Sequence, residues 1–336
     1  MWEAATLDKP SSKPLLRRID LRQAGPFMAL VALAVLGTII NPDFLSEGNL
    51  TNVVTRSAFI GMIAVGATFV ITAGGIDLSV GSMAAIVSGI MIVLMNWLAQ
   101  QLGEGPGVVA IVIVAGLLLG SLAGLVNGLV ITLGKMEPFI VTLGFMGIYR
   151  SLLTYIANGG TLTLSGAMRS LYRPVFYDGL LGIPYPVWVL AVVVGLGAVV
   201  LYTTRFGRYC FAIGSNEEVA RYSGISLNRV KTWTYVVQGA CVGVACDIYV
   251  PRLGSASSTS GLGWELEAIT AVIVGGTALK GGYGRIGGSI VGALILTVIG
   301  NIMNLSSDVS VYLNGAVQGI IIIAAVLLQR GVGLKR

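Results

Sequence analysis

The stretch GPGVVAIVIVAGLLLGSLAGLVNGLVITLG, residues 105–134, is almost entirely apolar and contains no charged residue. A helix needs roughly 20 such residues to cross the hydrocarbon core of a bilayer, so this stretch predicts a membrane span long enough to tilt. The other long windows without a charge lie at 57–76, 78–103, 179–204, 286–307 and 309–329. The sequence therefore predicts an all-α polytopic membrane protein.

The composition of the 336-residue chain excludes an ordinary soluble enzyme. Only 11% of its residues are charged, whereas a soluble domain carries roughly 25%. Histidine, the commonest general base and metal ligand, is missing from the sequence, and Cys210, Cys241 and Cys246 have no metal-type spacing. Despite the net charge of +6, we expect the basic residues to orient the chain in a membrane rather than to bind nucleic acid.

Ten membrane-spanning segments are expected from the apolar pattern. They lie at about 26–42, 50–73, 80–101, 107–133, 138–157, 186–204, 229–250, 263–280, 284–304 and 310–330. The apolar centre of the eighth segment, residues 268–279, is about 18 Å long as a helix, which is too short to cross the membrane. We therefore predict a half-helix or a broken span there.

A weak internal repeat indicates that the ten helices form two inverted halves of five. The sequences GIDL at 75–78 and GWEL at 263–266 each place a carboxylate at the expected start of a helix. Inverted repeats with broken helices are typical of transporters. Asp77 and Glu265 have a simpler alternative role, which is to cap these helices.

The basic residues predict the orientation, since cytoplasmic loops of membrane proteins carry an excess of lysine and arginine. With the N-terminus inside, both termini are cytoplasmic, and only Arg169, Arg173 and Arg252 of the 21 basic residues fall in outer loops. The predicted organisation is a basic cytoplasmic tail at 1–25, a single transmembrane domain at 26–330 and a cytoplasmic tail at 331–336.

Two connecting segments are long, an outer loop at 158–185 and an inner loop at 205–228. The run SNEEVARYSG in the inner loop predicts a short helix that Asn216 caps and Gly224 ends. Two glutamates suit its positive N-terminal end. The pattern alone leaves an ordinary solvated loop as the alternative.

Glycines spaced four residues apart predict close packing between helices. These glycines are Gly120, Gly124 and Gly128, Gly239 and Gly243, and Gly288 and Gly292. The run GYGRIG at 282–287 fits the GxGxxG dinucleotide fingerprint, but an apolar membrane window follows it, so we interpret it as a turn. The sequence lacks the phosphate-binding motif GxxxxGK[ST], so an ATP-driven step would need another subunit.

Polar side chains inside membrane spans are costly and usually functional. The ionisable candidates are Arg56, Asp77, Arg150, Asp247, Glu265 and Glu267. Their density is low for a proton or sodium relay. The asparagines Asn96, Asn127, Asn301 and Asn304 either line a polar path or bond a neighbouring helix.

Four blocks of sequence resemble the membrane permease subunits of bacterial ABC sugar importers, in the group for ribose, galactose, xylose and arabinose. The blocks are TAGGIDLSVGS at 72–82, PFIVTLG at 138–144, TRFGRYCFAIGSNEEVARYSGI at 204–225 and WELEAITAVIVGGTALKGGYGRIGGSIVGALIL at 264–296. They occur in order over nearly the whole chain. The usual inner block has a second alanine where Val219 stands, which is a small departure.

The resemblance implies a system of several parts in the bacterial plasma (inner) membrane. An ATP-binding subunit that uses ATP and magnesium would dock inside, and a periplasmic or extracellular sugar-binding protein would dock outside. A second permease chain, identical or a sister, would complete the path. This chain would bind no cofactor of its own, would catalyse no reaction and would not bind nucleic acid.

Three groups of site residues are expected. The resemblance implies that the ATPase-coupling residues are Gly214, Asn216, Glu217, Glu218, Ala220, Arg221, Ser223 and Gly224. The broken-helix and gating residues are Gly74, Gly75, Asp77, Ser79, Gly81, Glu265, Glu267, Gly275 and Gly276. The arginines expected to dock the binding protein are Arg169, Arg173 and Arg252, since arginine pairs well with carboxylates.

Three other functions fit the sequence less well. A branched-chain amino acid ABC permease shares the architecture, but the motif GIDLSVGS favours the sugar group. An ion-coupled secondary transporter would import substrate as an isolated chain. An uncoupler would abolish that uptake, and ATP would not affect it. A membrane-anchored enzyme is disfavoured because the sequence offers no activated nucleophile or metal cluster. The sequence leaves the particular sugar open.

Overall fold

The computed structural model describes residues 21–306 and 313–333, which are almost entirely helical. Within these residues, seven helices are long and apolar enough to cross a membrane. They are α2 (Glu47–Thr72), α3 (Val80–Leu102), α4 (Pro106–Gly134), α5 (Pro138–Ile156), α8 (Tyr185–Thr203), α11 (Leu227–Leu253) and α13 (Ile286–Leu305). The prediction of a polytopic helical membrane protein is therefore confirmed.

Seven further α-helices, a 3-10 helix at Pro42–Leu45 and four short strands complete the described chain. The helices are α1 (Leu21–Ile40), α6 (Gly166–Tyr172), α7 (Pro174–Tyr177), α9 (Arg205–Ser215), α10 (Glu217–Tyr222), α12 (Trp264–Val274) and α14 (Asn314–Gly333). The strands are β1 (Thr161–Thr163), β2 (Gly179–Leu180), β3 (Ile183–Pro184) and β4 (Ser255–Ser257). Most of the expected N-terminal tail, residues 334–336 of the expected C-terminal tail and the join before α14 lie outside the described residues.

The segment expected at 263–280 is a half-helix, as its short apolar centre predicts. Helix α12 covers only Trp264–Val274. Gly263, at its N-cap, has φ = 84°, and Gly276, just after its end, has φ = 92°. Only glycine adopts such angles readily, so glycines end this helix on both sides.

Helices α4 and α11 pack backbone against backbone, which confirms the close packing predicted from their glycines. A Cβ on Gly120 would meet the carbonyl oxygen of Gly239, and a Cβ on Gly124 would meet the carbonyl oxygen of Tyr235. The glycines predicted to pack on α13 behave in the same way, since a Cβ on Gly292 would meet the carbonyl oxygen of Ala271. These contacts give van der Waals packing at the short range that helix association in a membrane needs.

The bundle has two structurally different ends. We call the end formed by α9 and α10 the inner end, and the end formed by β1, β4, α6 and α7 the outer end. Strands β1 and β4 pair antiparallel, with Leu162 opposite Ala256. Helix α11 joins the two ends, because it begins after α10 and finishes at β4.

The long connecting segments contain more regular structure than the loops expected from the sequence. The expected inner loop begins with the 11-residue helix α9, because Gly207, Cys210 and Ile213 recur three residues apart and bury one face. Thr204 caps this helix through a hydrogen bond from the Gly207 N–H. The expected outer loop holds α6, α7 and three strands. Of this regular structure, the sequence predicted only the short helix in the inner loop.

Replacing Gly124 with alanine will destabilise the protein, because the added methyl group has no room against the Tyr235 carbonyl. Overpacking of this kind costs about 1–3 kcal/mol, more than the roughly 1 kcal/mol that alanine gains over glycine in a helix. The measurement is the thermal unfolding midpoint in detergent. The matched control is Gly147→Ala in α5, where nothing lies within 4 Å of the new Cβ. Equal midpoints for the two variants would refute the packing assignment.

Candidate functional site

A break in the helical chain separates α2 from α3. Helix α2 ends at Thr72, and the chain runs without regular structure until Val80. Gly74 has φ = 84°, and a Cβ on Gly75 would lie 2.7 Å from the hydroxyl oxygen of Tyr235. The chain is therefore non-helical at this motif, and both positions have a geometric reason to be glycine.

A chain of buried hydrogen bonds holds the break against two neighbouring helices. The Ser79 hydroxyl donates to Asp77 Oδ1 at 2.7 Å, and Asn127 Nδ2 of α4 donates to the Ser79 oxygen at 2.7 Å. The Tyr149 hydroxyl of α5 donates to Asn127 Oδ1 at 2.8 Å. Hydrogen bonds inside a low-dielectric interior polarise one another, so this chain fixes the break in one position.

The predicted role of Asp77 as the cap of α3 is wrong. Ser79, not Asp77, is the N-cap residue of α3, and its side chain makes no capping hydrogen bond. The Asp77 carboxylate instead accepts the Ser79 backbone N–H at 2.8 Å, one residue before the helix begins. Its second oxygen has no hydrogen-bond partner among the described residues. Asp77 therefore shapes the break rather than the helix.

The start of α12 lies directly against the start of α3. A Cβ on Gly81 would meet the Gly261 carbonyl oxygen and Glu265 Oε2. Glu265 stands in the first turn of α12, where the helix dipole favours a negative charge. The two segments that share the GxDL and GxEL pattern are therefore in contact.

Helix α12 is also tied to its other neighbours. Arg150 Nη1 of α5 donates to the carbonyl oxygen of Ser258 at 2.6 Å and also to that of Ser260. These bonds anchor the segment that leads into α12. After α12, a Cβ on Gly275 would meet the Gly288 carbonyl of α13. Glu267 lines a cavity at the outer end.

The short inner helix expected in SNEEVARYSG is present as α10. The Asn216 side chain accepts the Val219 N–H at 3.0 Å, and Gly224 ends the turn with φ = 79°. Lys231 of α11 binds Glu217 at 2.7 Å. This ion pair and the cap hold α10 at the base of α11.

One face of α10 is free of contacts with the rest of the described chain. Tyr222 is 88% exposed and Val219 is 59% exposed, and the other exposed residues of the segment are Asn216, Glu217, Glu218, Arg221, Ser223 and Gly224. Ala220 is only 2% exposed and packs into the core around α9. The residues expected to couple to an ATPase therefore divide into an outward surface and an inward anchor.

Gly214 brings the inner segment into contact with both broken elements. A Cβ on Gly214 would meet the Thr72 carbonyl oxygen at the end of α2 and the Gly282 nitrogen in the loop after α12. The Gly282 N–H also donates to the Thr72 carbonyl at 2.9 Å. A Cβ on Gly281 would lie 3.1 Å from the Gly74 Cα. Helix α9 therefore contacts both the end of α2 and the loop after α12 through its backbone.

The three arginines expected outside lie at the outer end but differ in environment. Arg169 is exposed and donates weakly to the Leu253 carbonyl at 3.4 Å. Arg173 is exposed and lies over the Tyr177 ring at 4.7 Å. Arg252 is half-buried, with its guanidinium 5.5 Å from the centre of the Phe59 ring.

Several residues of the site were not assigned a role from the sequence. Asn127 was considered only as a path or helix-bonding residue, and Tyr149 and Tyr235 were not considered. The available signal was Asn127 itself, an amide inside an otherwise apolar run and beside the packing glycine Gly128. Among the described residues, no group of three His, Cys, Asp or Glu side chains is placed to hold a metal ion.

Comparison with known proteins identifies the class. Residues 49–326 match the family described as "Branched-chain amino acid transport system / permease component". The chain belongs to this family of permease components, as the match covers most of its length.

Individual relatives are similar over almost their full length. Ribose import permease protein RbsC of Bacillus subtilis is 40% identical over 92% of this chain and 93% of its own. The Haemophilus influenzae protein of the same name is 37% identical over 92% of this chain and 94% of its own. The xylose transport system permease protein XylH of Escherichia coli is 31% identical, over 94% and 93%.

Removing the amide that bridges α3, α4 and α5 will destabilise the protein. Asn127→Leu removes the hydrogen bonds to the Ser79 and Tyr149 hydroxyls, which keep Asp77 Oδ1 and the Ala123 carbonyl as partners, so the two lost bonds cost about 1–3 kcal/mol together. Tyr149→Phe removes the hydrogen bonds to Asn127 Oδ1 and to the Ala123 carbonyl, each worth about 1 kcal/mol. Tyr155→Phe is the control, since Tyr155 lies on the same helix and is 81% exposed. Thermal unfolding in detergent is the measurement, and a Tyr149→Phe midpoint equal to that of Tyr155→Phe would contradict the network.

Proposed function

We propose that this chain is the membrane-spanning permease subunit of an ATP-driven importer for a monosaccharide, such as a pentose, a hexose or a related polyol. The observation that carries the proposal is the exposed helix α10, joined through Gly214 to two broken helices. That arrangement suits a mechanical input from a separate ATPase. The ribose and xylose permeases similar to this chain support a sugar as the substrate.

The alternative substrate class is a branched-chain amino acid. The family description names such a system, so family membership alone does not choose between the two. The sugar is favoured because the relatives that cover nine-tenths of the chain are named for ribose, allose and xylose. The GIDLSVGS motif favours the same group.

The proposed architecture is a single domain over residues 26–330 with ten membrane segments in two inverted halves. The seven long spans supply most of it, and α1, α12 and α14 supply the rest. The contact between Gly81 and Glu265 supports the repeat, because it brings together the starts of the two helices that follow the GxDL and GxEL patterns. Both termini, including the tails at 1–25 and 331–336, face the cytoplasm of the bacterial plasma membrane.

The proposed assembly contains three further parts. An ATP-binding subunit docks on α10, a periplasmic or extracellular sugar-binding protein docks on the outer end, and a second permease chain completes the path. ATP and magnesium act in the ATPase, and this chain holds no cofactor. The sugar passes unchanged, so the work of this chain is conformational.

The proposed coupling runs through backbone contacts. Closure of the ATPase shifts α10 and α9, and Gly214 passes that shift to the break after Thr72 and to the loop at Gly282. Ligands shift such an equilibrium by binding one state better than the other. ATP inside and the loaded binding protein outside favour different states, which gives alternating access.

Uptake into proteoliposomes tests the function directly. The full complex should import labelled D-ribose, D-allose or D-xylose only when ATP is present inside and the binding protein outside. The isolated chain should import none. Uptake by the isolated chain that an uncoupler abolishes would support the secondary transporter instead, and import of leucine but no sugar would support the amino acid permease.

The exposed face of α10 should determine ATPase docking. Tyr222→Ala removes the most exposed aromatic side chain of the helix, and Glu218→Lys reverses a charge that makes no ion pair in the described chain. Truncation of an aromatic interface residue typically costs more than 1–2 kcal/mol, so co-purification of the ATPase should fall about tenfold. Tyr155→Ala, an exposed tyrosine at the opposite end, is the control. Undiminished ATPase yield with normal transport would refute the docking surface.

Arg169 and Arg173 are proposed to steer the binding protein, with Arg252 beside them. Charged rim contacts tune encounter more than final affinity. The double reversal Arg169→Glu, Arg173→Glu should raise the concentration of binding protein that half-stimulates ATP hydrolysis by about two- to fivefold at low salt, since an exposed pair contributes about 0.2–1 kcal/mol. At high salt the difference should shrink, because screening weakens it. An unchanged low-salt curve would show that these arginines do not dock the partner.

A further inference from the structure

A cavity of about 280 Å³ opens at the outer end, between α2, α11, α12 and α13. Its lining combines guanidinium, carboxylate, amide and aromatic groups, in the side chains of Arg56, Arg252, Glu267, Asn304, Phe59 and Trp264. Ligand sites for drug-sized molecules measure about 300–1,000 Å³ and combine an apolar wall with a few polar groups. This cavity matches that pattern at the size of a smaller ligand.

Arg56 and Asn304 place exposed polar groups on the lining of this cavity. Arg56 is exposed in the isolated chain and lies nine residues into α2, about 14 Å along the helix from its first residue. A charge in a membrane-spanning helix is costly where it faces hydrocarbon. Asn304 of α13 is exposed as well. The cavity therefore offers a polar surface beside α2.

The rear wall of the cavity is aromatic. The Phe59 and Trp264 rings are nearly parallel, with centroids 6.2 Å apart and an interplanar angle of 13°. Tyr249 meets Trp264 edge to face at 4.9 Å, which holds the indole in place. Phe59 is only 4% exposed, whereas Trp264 is half-buried, so the indole is the flat apolar surface available to the C–H face of a sugar ring.

The polar groups stand opposite a fixed amide pair. Asn301 and Asn49 exchange hydrogen bonds of 2.7 and 3.0 Å, which orients Asn301 on the cavity wall. Guanidinium groups donate hydrogen bonds, carboxylates accept them, and amides do both. Hydroxyl groups both donate and accept, so a neutral polyol satisfies this mixed lining without adding charge.

We propose that this cavity is a transit site that holds one monosaccharide after the binding protein releases it. The ring rests on Trp264, while hydroxyl groups bond Arg56, Glu267 and Asn304. The inference rests on the proposed function, because it takes the transported molecule to be a sugar. It adds a point of selection inside the permease, separate from the binding protein.

The test compares variants in the reconstituted full complex with D-ribose as the probe. Asn304→Leu and Trp264→Leu should each lower the ribose transported per ATP hydrolysed by about fivefold, the effect of one lost hydrogen bond or one lost ring contact. Gln101→Leu and Trp97→Leu are the matched controls, since both residues are exposed on α3 and do not line the cavity. Both controls should keep the wild-type ratio. Asn304→Leu decides the test if Trp264→Leu fails to fold.

The outcomes separate this inference from the proposed function. A wild-type ratio in Asn304→Leu, with ribose uptake intact in the wild-type complex, would overturn the transit site alone. A variant that keeps the wild-type ratio of ribose transported per ATP, but needs more binding protein to half-stimulate ATP hydrolysis, would assign the cavity to docking of the binding protein. That result would also overturn the transit site. Absence of sugar uptake in the wild-type complex, with import of leucine, would instead overturn the proposed function.

Discussion

The contact on which the rest of the structure depends is the approach of Gly214 to the Thr72 carbonyl oxygen. It leaves no space for a side chain, so the backbones of α9 and α2 touch directly. The Gly282 N–H donates to the same carbonyl, which adds the loop after α12 to the junction. Close-packed interfaces switch between discrete arrangements rather than deforming continuously. A displacement of α9 at this junction would therefore be transmitted to the backbones of α2 and of the loop after α12.

Close backbone contacts at glycines recur through the bundle. Within a membrane, helices gain little from hydrophobic burial against one another and associate through close packing and polar contacts. Helices α4 and α11 meet at Gly124 and Gly239, and the Asp77–Ser79–Asn127–Tyr149 chain supplies the polar counterpart at the α3 break. Close backbone packing and buried polar contacts are therefore the two kinds of interaction that hold these helices together.

The sequence predicted the parts of the structure that depend on local chemistry. The uncharged run at 105–134 defined a span, the short run at 268–279 defined a half-helix, and Asn216 with Gly224 bounded α10. It did not predict α9, because the arginines and glycines of TRFGRYCFAIG resemble a loop until one buried face is seen. Nor did it predict that Gly214 would meet Thr72 and Gly282, since those residues are distant in sequence and no local pattern joins them.

The role of individual site residues depended on tertiary contacts in the same way. Ala220 reads as one member of a docking motif, yet it is buried, and Tyr222 beside it is almost fully exposed. Asn301 and Asn304 are both polar residues of one helix, but only the fold brings them to a cavity with Arg56. The sequence shows that a side chain is polar, whereas the tertiary contacts of that side chain determine its role.

Pulsed electron spin resonance on the full complex tests the central claim, that α10 and the loop after α12 move together. Spin labels at Val219→Cys and at Tyr283→Cys, both exposed positions, are each paired with a reference label at Tyr155→Cys. Labelling is selective because the three native cysteines are buried, and burial raises the pKa of the Cys210 thiol to about 12. Trapping the complex with ATP should change both distances to the reference while leaving the Val219–Tyr283 distance unchanged. A shift of Val219 with Tyr283 stationary would contradict the account.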